Sequence, residues 1–213
     1  MTNLHMTSAP SGDAGTAEQI YCPALYGLTA RQADLAFLMP RLDHNRAVRE
    51  TRRTANWAAL LASDPFGSED ALFASLSGLG YTGILNWPSS ILLDGAIRQS
   101  MSTIPASPQL EYEFLARAQK AGFETLAFFL SLAQARDALT AGLRRLVLHP
   151  GLFDKKGPAN RDMVLGSLQR LIETIKADGK GIEILAYTSK WHEDLVPLSA
   201  LDVDGLVWCE ADA

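Results

Sequence analysis

Short runs of consecutive apolar residues alternate along this chain with longer stretches in which apolar positions recur every three or four residues. The runs cover residues 19–25, 57–63, 82–87, 125–130, 145–149, 183–188 and 205–209. Each is apolar throughout instead of alternating, as expected of strands covered on both faces in a parallel sheet. They are the predicted strands, about seven in number.

The stretches between them carry helical signals. Residues 68–79 follow Asp64-Pro65, place Leu72, Phe73, Leu76 and Leu79 on one face, and end at Gly80. Residues 109–121 and 132–141 each stop at a glycine, Gly122 and Gly142, which fits a left-handed cap. The longest stretch, 161–177, has an apolar stripe of Val164, Leu168, Leu171, Ile172 and Ile175 before Asp178-Gly179. Strand and helix alternation of this kind defines an α/β fold with a parallel sheet, either doubly wound or closed as a barrel. Residues 1–18, rich in Ser, Thr, Gly, Ala and Asp without periodicity, are expected to be a flexible tail ahead of one domain over 19–213.

Composition narrows the function classes. Nineteen basic against 24 acidic residues give a net charge of −5, no field for nucleic acid or an anionic membrane surface. No apolar run reaches the roughly 18 residues that span a bilayer, and no secretion signal is visible at the start, so a cytoplasmic location is expected. Cys22 and Cys209 each lie in an apolar run, and read as buried small residues rather than a disulfide framework.

Polar residues gather at the carboxyl ends of the predicted strands: Asp64, Asn86, His149 and the pair Thr188-Ser189. Parallel α/β folds place their chemistry there. Asp64 and Ser189 read equally as caps of the next segment. His149 is suited to acid–base work at neutral pH and, as a rim residue, is expected to be replaceable at little cost in stability. Asn86 is suited to orienting a substrate oxygen, and Arg98 to pairing with a carboxylate or phosphate, with a solvated helix face as the alternative for Arg98. His44 and His192 lie in polar stretches and are expected to face solvent.

The stretch Ser63-Asp64-Pro65-Phe66, then Leu79 through Pro88, then Leu92-Leu93-Asp94-Gly95 with Arg98, closely resembles the phosphoenolpyruvate-hydrolase-like TIM-barrel family, also described as TIM-barrel signal-transduction proteins. Family members carry a run of the form TDPF, LGF-GVQNFP, LIDG-FR at similar spacing. Leu110 through Glu113, Ala121-Gly122-Phe123 and Leu148 through Leu152 extend the match, and Gly27 through Asn45 resembles the loop ending in LMPYGDAN. The resemblance runs from about residue 19 to 209.

This likeness implies a (β/α) TIM-barrel-like fold and, at its mouth, a small phosphorylated or carboxylated acid undergoing hydrolysis or C–C or C–P cleavage. It further implies Mg²⁺ held by Asp64 and Asp94, with Glu111 as an outer partner, and catalytic roles for His149, Asn86 and Asp64, with Arg98 and Ser189 on the substrate. For Asp94 and Glu111 the alternatives are a turn residue and a first-turn acid favoured by the helix dipole. The family's glycine-rich first loop has no counterpart, Ala186 through Lys190 replaces its CHGGP run, and its closing helix is absent before Ala213. The expected barrel is therefore incomplete, with the edges of 19–25 and 205–209 left to pair directly, to be covered by the tail, or to be buried in a homo-oligomer. The alternative function is a ligand-binding or regulatory barrel without turnover.

Overall fold

The computed structural model describes residues 2–10, 19–38, 43–50, 55–101, 106–154 and 156–211. Eight parallel strands close into a barrel in chain order. They are β1 (Thr2–Thr7), β2 (Gln19–Tyr21), β3 (Trp57–Leu60), β4 (Gly83–Asn86), β5 (Glu124–Phe129), β6 (Arg145–Leu148), β7 (Glu183–Thr188) and β8 (Gly205–Cys209). The helices are α1 (Ala30–Leu38), α2 (His44–Glu50), α3 (Glu69–Leu79), α4 (Gly95–Met101), α5 (Pro108–Lys120), α6 (Leu132–Thr140), α7 (Arg161–Ala177) and α8 (Lys190–Leu195). Among the described residues no helix is long and apolar enough to cross a membrane.

The closing strand corrects two expectations. Thr2–Thr7, assigned from its composition to a flexible tail, is β1, and it pairs with β8 from Thr2↔Gly205 to Met6↔Cys209 and with β2 from His5↔Gln19 to Thr7↔Tyr21. The barrel is complete rather than seven-stranded, and open edges no longer give a reason for a homo-oligomer. The strand escaped detection because only its inner face is apolar: Leu4 and Met6 are buried, whereas Asn3 is exposed and His5 half-exposed with its ring nitrogen 2.7 Å from Glu210. Two inward residues in six do not make the continuous run that a strand buried on both faces displays. Residues 11–18 of the expected tail lie outside the described residues. Cys22 and Cys209 are buried free thiols on strand ends that flank β1, not neighbours on paired strands.

Side chains separate into two cores. One lies between helices and the barrel's outer surface, and includes Leu76, Tyr112, Leu115, Leu146 and Ile172. The other fills the barrel itself, with Met6, Ile20, Leu85, Leu126, Val147 and Val207 among its members, and extends to Phe37 of α1 at the carboxyl-terminal end. Alternate residues of each strand point to one core or the other, which is why both faces must be apolar.

The amino-terminal end of the barrel is plugged by Trp57, whose ring lies beneath the Arg145 guanidinium at 5.4 Å and beside the register partner Gly83. A methyl group on Gly83 would stand 2.2 Å from that ring. Helix ends follow the sequence signals: Ser68 caps α3, which ends at Gly80 with φ of 80°. Ser131 and Gln134 form a capping box on α6.

A Gly83→Ala variant should be destabilised by about 1–3 kcal/mol, because a ring held on both sides cannot yield to an added methyl. Urea unfolding against the wild type measures it, and an unchanged midpoint would mean that Trp57 is free to move.

Candidate functional site

At the carboxyl-terminal end of the barrel two polar groups lie side by side. The first is built on the last residue of β4 and the turn that follows. Asn86 donates through Nδ2 to Glu111 Oε2 at 2.8 Å and accepts at Oδ1 from the Phe128 backbone N–H at 2.8 Å. The Ser89 hydroxyl also donates to Glu111 Oε2. Ser90 donates to Oε1 twice, from its backbone N–H and from its hydroxyl, both at 2.7 Å. Glu111, in the first turn of α5, is fully buried. Burial pushes its carboxyl above the usual range, and the bonds from Ser89, Ser90 and Asn86 pull it back.

This arrangement answers the Mg²⁺ expectation. Four donors occupy the two oxygens of Glu111, so the carboxylate has no face left to offer a cation. Asp94 is exposed at the start of α4, its backbone oxygen accepting from Arg98 N at 3.0 Å. Asp64 binds Asn45 Nδ2 at 3.2 Å through one oxygen and the Phe66 N–H at 2.9 Å through the other. The three acids do not converge, and among the described residues no three His, Cys, Asp or Glu side chains gather as a metal group. The residues do not fit the ion.

The second group centres on His149, which follows β6 and extends its ladder by donating its N–H to Phe129 O at 2.9 Å. Nδ1 accepts from the Gly151 N–H at 3.1 Å, so in the neutral ring the proton sits on Nε2, which is buried and without a partner. The ring stacks on Tyr187 at 5.1 Å and meets Phe37 at 4.8 Å. Burial and the neighbouring His192 hold its pKa well below the usual imidazole value. His149 is thus a neutral hydrogen-bond donor pointing into the closed end of the barrel.

His192, expected to face solvent, is fully buried. Ser189 caps α8 by accepting the His192 N–H at 3.3 Å, and its hydroxyl lies 2.9 Å from His192 Nδ1. On the other side His192 Nε2 stands 3.3 Å from Asp34 Oδ2, in ion-pair range though not aligned for a hydrogen bond. Asp34 Oδ1 is buried without a partner. A carboxylate removed from water with one oxygen unsatisfied is costly, and such groups concentrate where chemistry is done.

His44 is also a correction: it is buried, with Nε2 2.8 Å from Ala59 O, and burial lowers its pKa to about 4. Its neighbour Asn45 accepts from Leu61 N at 2.9 Å and donates to Leu61 O at 3.0 Å, fastening α2 to the end of β3. Arg98 is exposed on α4, a helix with no buried residue. Of the residues expected at the site, Asn86 and Glu111 are bonded to each other, Ser189 and His149 share the second group through His192, and Asp64, Asp94 and Arg98 stand apart. Asp34 and His192 were missed; the one available signal is that Asp34 falls three residues before Phe37 on the inward stripe of α1.

Beside the first group lies a cavity of about 230 Å³ lined by Phe37, Leu38, Leu61, Pro65, Leu93 and Met101, with Ser63, Ser89, Ser90 and Ala106. A backbone bond from Ser89 N to Phe37 O at 3.1 Å ties the two groups together.

Fold and site together define a closed parallel (β/α)-barrel whose polar residues meet at the carboxyl-terminal end. A crystal structure of a proposed phosphonomutase from Burkholderia cenocepacia J2315 has the same fold: TM-score 0.53, 15% identity, covering 97% of this chain and 87% of that one. The chain belongs to the phosphoenolpyruvate hydrolase-like family, whose model matches residues 20–184. The protein y4oT of Sinorhizobium fredii is 29% identical over 146 residues, covering 66% of this chain and 74% of its own length. The tomato (Solanum lycopersicum) ToMV resistance protein Tm-1(GCR237) is 30% identical over 131 residues, 58% of this chain, and its susceptible counterpart tm-1(GCR26) matches equally. That match spans only 17% of the length of each tomato protein.

Buried neutral histidines make the fold acid-sensitive. Between the ordinary imidazole value and the lowered one, only the unfolded chain takes up the proton, so stability is present above pH 6.5 and is lost as pH falls toward about 4 for His44. From pH 7 to 5, His44 should remove about 2 kcal/mol at about 1.4 kcal/mol per unit, with His149 adding in the same direction. Urea unfolding at both pH values should show a correspondingly smaller loss in His44→Gln; equal losses would refute the assignment.

Proposed function

We propose that the chain is a hydrolytic or bond-cleaving barrel enzyme acting on a small carbonyl compound of the carboxylated or phosphorylated acid class. Family membership supports an enzyme-related barrel, and the acid class comes from the family's name and the phosphonomutase neighbour. The observation that carries the reading is a cluster of buried polar atoms without a hydrogen-bond partner, Asp34 Oδ1 and His149 Nε2 with Tyr187 Oη and His192 Nε2 beside them, in which His192 neighbours both Asp34 and His149.

In this reading Asp34 is the general base, and His192, fixed by Ser189, is a positioning residue that holds the carboxylate's other oxygen. Asp34 Oδ1 takes a proton from water as the water oxygen bonds to the substrate carbonyl carbon. The negative charge that develops on the carbonyl oxygen is met by the Nε2–H of His149, which burial keeps neutral, so that it serves as a hydrogen-bond donor to the oxyanion. Collapse of the adduct breaks the bond to the neighbouring carbon, and the proton on Asp34 passes to the leaving carbon. No step passes through a metal.

One observation favours a second reading, a binding barrel without turnover: Asp34, His149 and His192 are all buried from solvent.

The same burial revises the expectation that His149 is replaceable at little cost, since His149→Ala would leave a cavity between Tyr187 and Phe37. His149→Leu keeps much of the side-chain bulk and removes the Nε2–H donor. It should lower kcat by about 100-fold or more, as for loss of one oxyanion donor, with little change in KM. Turnover of candidate acids measured alongside ligand-dependent thermal shift decides the matter. Undiminished turnover removes His149 from the mechanism, and binding without product selects the second reading.

A further inference from the structure

The mouth cavity has a chemistry unlike that of a phosphate site. None of its described lining residues carries a charge, and Phe37, Leu61, Leu93 and Met101 supply apolar walls. A dry apolar cavity of about 150 Å³ suffices for benzene, so the roughly 230 Å³ here admits a substituted or bicyclic ring. The polar side chains of its described lining are Ser63, Ser89 and Ser90, and the protons of Ser89 and Ser90 are already committed to Glu111. The Ser89 hydroxyl oxygen in addition accepts from Asn86 and from Ile91 N, and is saturated. The oxygen of Ser90 retains a lone pair, so it can accept a hydrogen bond but cannot give one. An anion would find one uncommitted hydroxyl proton, that of Ser63, and would face the buried carboxylate behind Ser89 and Ser90, whereas an N–H or O–H finds its complement at Ser90.

We propose that this cavity binds the non-reacting part of the substrate, and that this part is a neutral apolar body, aromatic or branched, carrying one N–H or O–H donor. The inference rests on reading the barrel mouth as an enzyme's site, and it favours an acid with an apolar tail over a phosphorylated three-carbon acid. Phe37 supplies the link to the chemistry. It lines the cavity and its ring lies 4.8 Å from the His149 ring, so the cavity and the reactive donor share a neighbour.

Titration of the whole chain with indole and with p-cresol, followed by calorimetry, tests this, with inorganic phosphate as the anionic probe. The expected Kd for the aromatic probes is about 0.1–1 mM, the range open to ligands of this size. Leu93→Trp and Met101→Trp, which fill the cavity from two sides, should each weaken binding at least tenfold, and phosphate should not compete. Displacement of indole by phosphate, or indole binding unchanged in both variants, overturns the proposal. Turnover of a phosphorylated acid that is insensitive to Leu93→Trp also overturns it, while leaving the enzyme reading intact. Indole binding that is lost in Leu93→Trp, in a chain whose His149→Leu variant keeps full turnover, supports the cavity and removes only His149 from the mechanism.

Discussion

The buried carboxylate of Glu111 is the constraint on which the carboxyl-terminal end of the barrel depends. Its two oxygens gather the side chain of Asn86 from β4, the hydroxyls of Ser89 and Ser90, and the Ser90 backbone N–H. Through Asn86 Oδ1 the network reaches the Phe128 N–H of β5, one residue past Leu126 and Ala127 where the β4–β5 ladder has already ended. Through Ser89 N it reaches the Phe37 carbonyl, and so fixes the end of α1 over His149. Four elements are thus held by one charge. Burial raises the Glu111 pKa, so the ionised network is not a net source of stability relative to a solvated carboxylate. Its role is to specify one arrangement, because removing any partner strands a buried donor or charge.

That arrangement sets what the site can do. Phe37, placed by Ser89, forms a wall shared by the apolar cavity and the His149 ring. Asp34 lies three residues earlier on the same helix and meets His192, which Ser189 orients from the amino end of α8. Base, donor and ligand cavity are therefore assembled around one helix, α1.

Much of the fold was legible because a two-faced parallel strand writes a distinctive pattern, and seven of the eight strands carry it. Thr2–Thr7 does not, since its outer face bears Asn3 and His5, and with the family's glycine-rich first loop and closing helix also without counterparts the barrel looked open. At the site, Asn86 and Glu111 were visible as polar residues at a strand end and a helix start, but the 25-residue separation between them hides that they bind each other instead of a cation. His44 and His192 were misread because their flanking residues are polar; burial is decided by which face of a short helix meets the barrel, and in a helix of six or seven residues the period is too brief to reveal it. Asp34 was passed over for a related reason, as an acid in an amphipathic helix ordinarily faces water.

Amide hydrogen exchange at Ser90 and Phe128 tests the Glu111 network most directly, because in each case the N–H is held by a side chain and not by a strand ladder. If the network specifies the barrel's end, both amides should exchange as slowly as Ile84 and Leu85 in the core of β4, opening only with global unfolding. Exchange of Ser90 and Phe128 orders of magnitude faster than β4, as for an ordinary loop, would contradict the account.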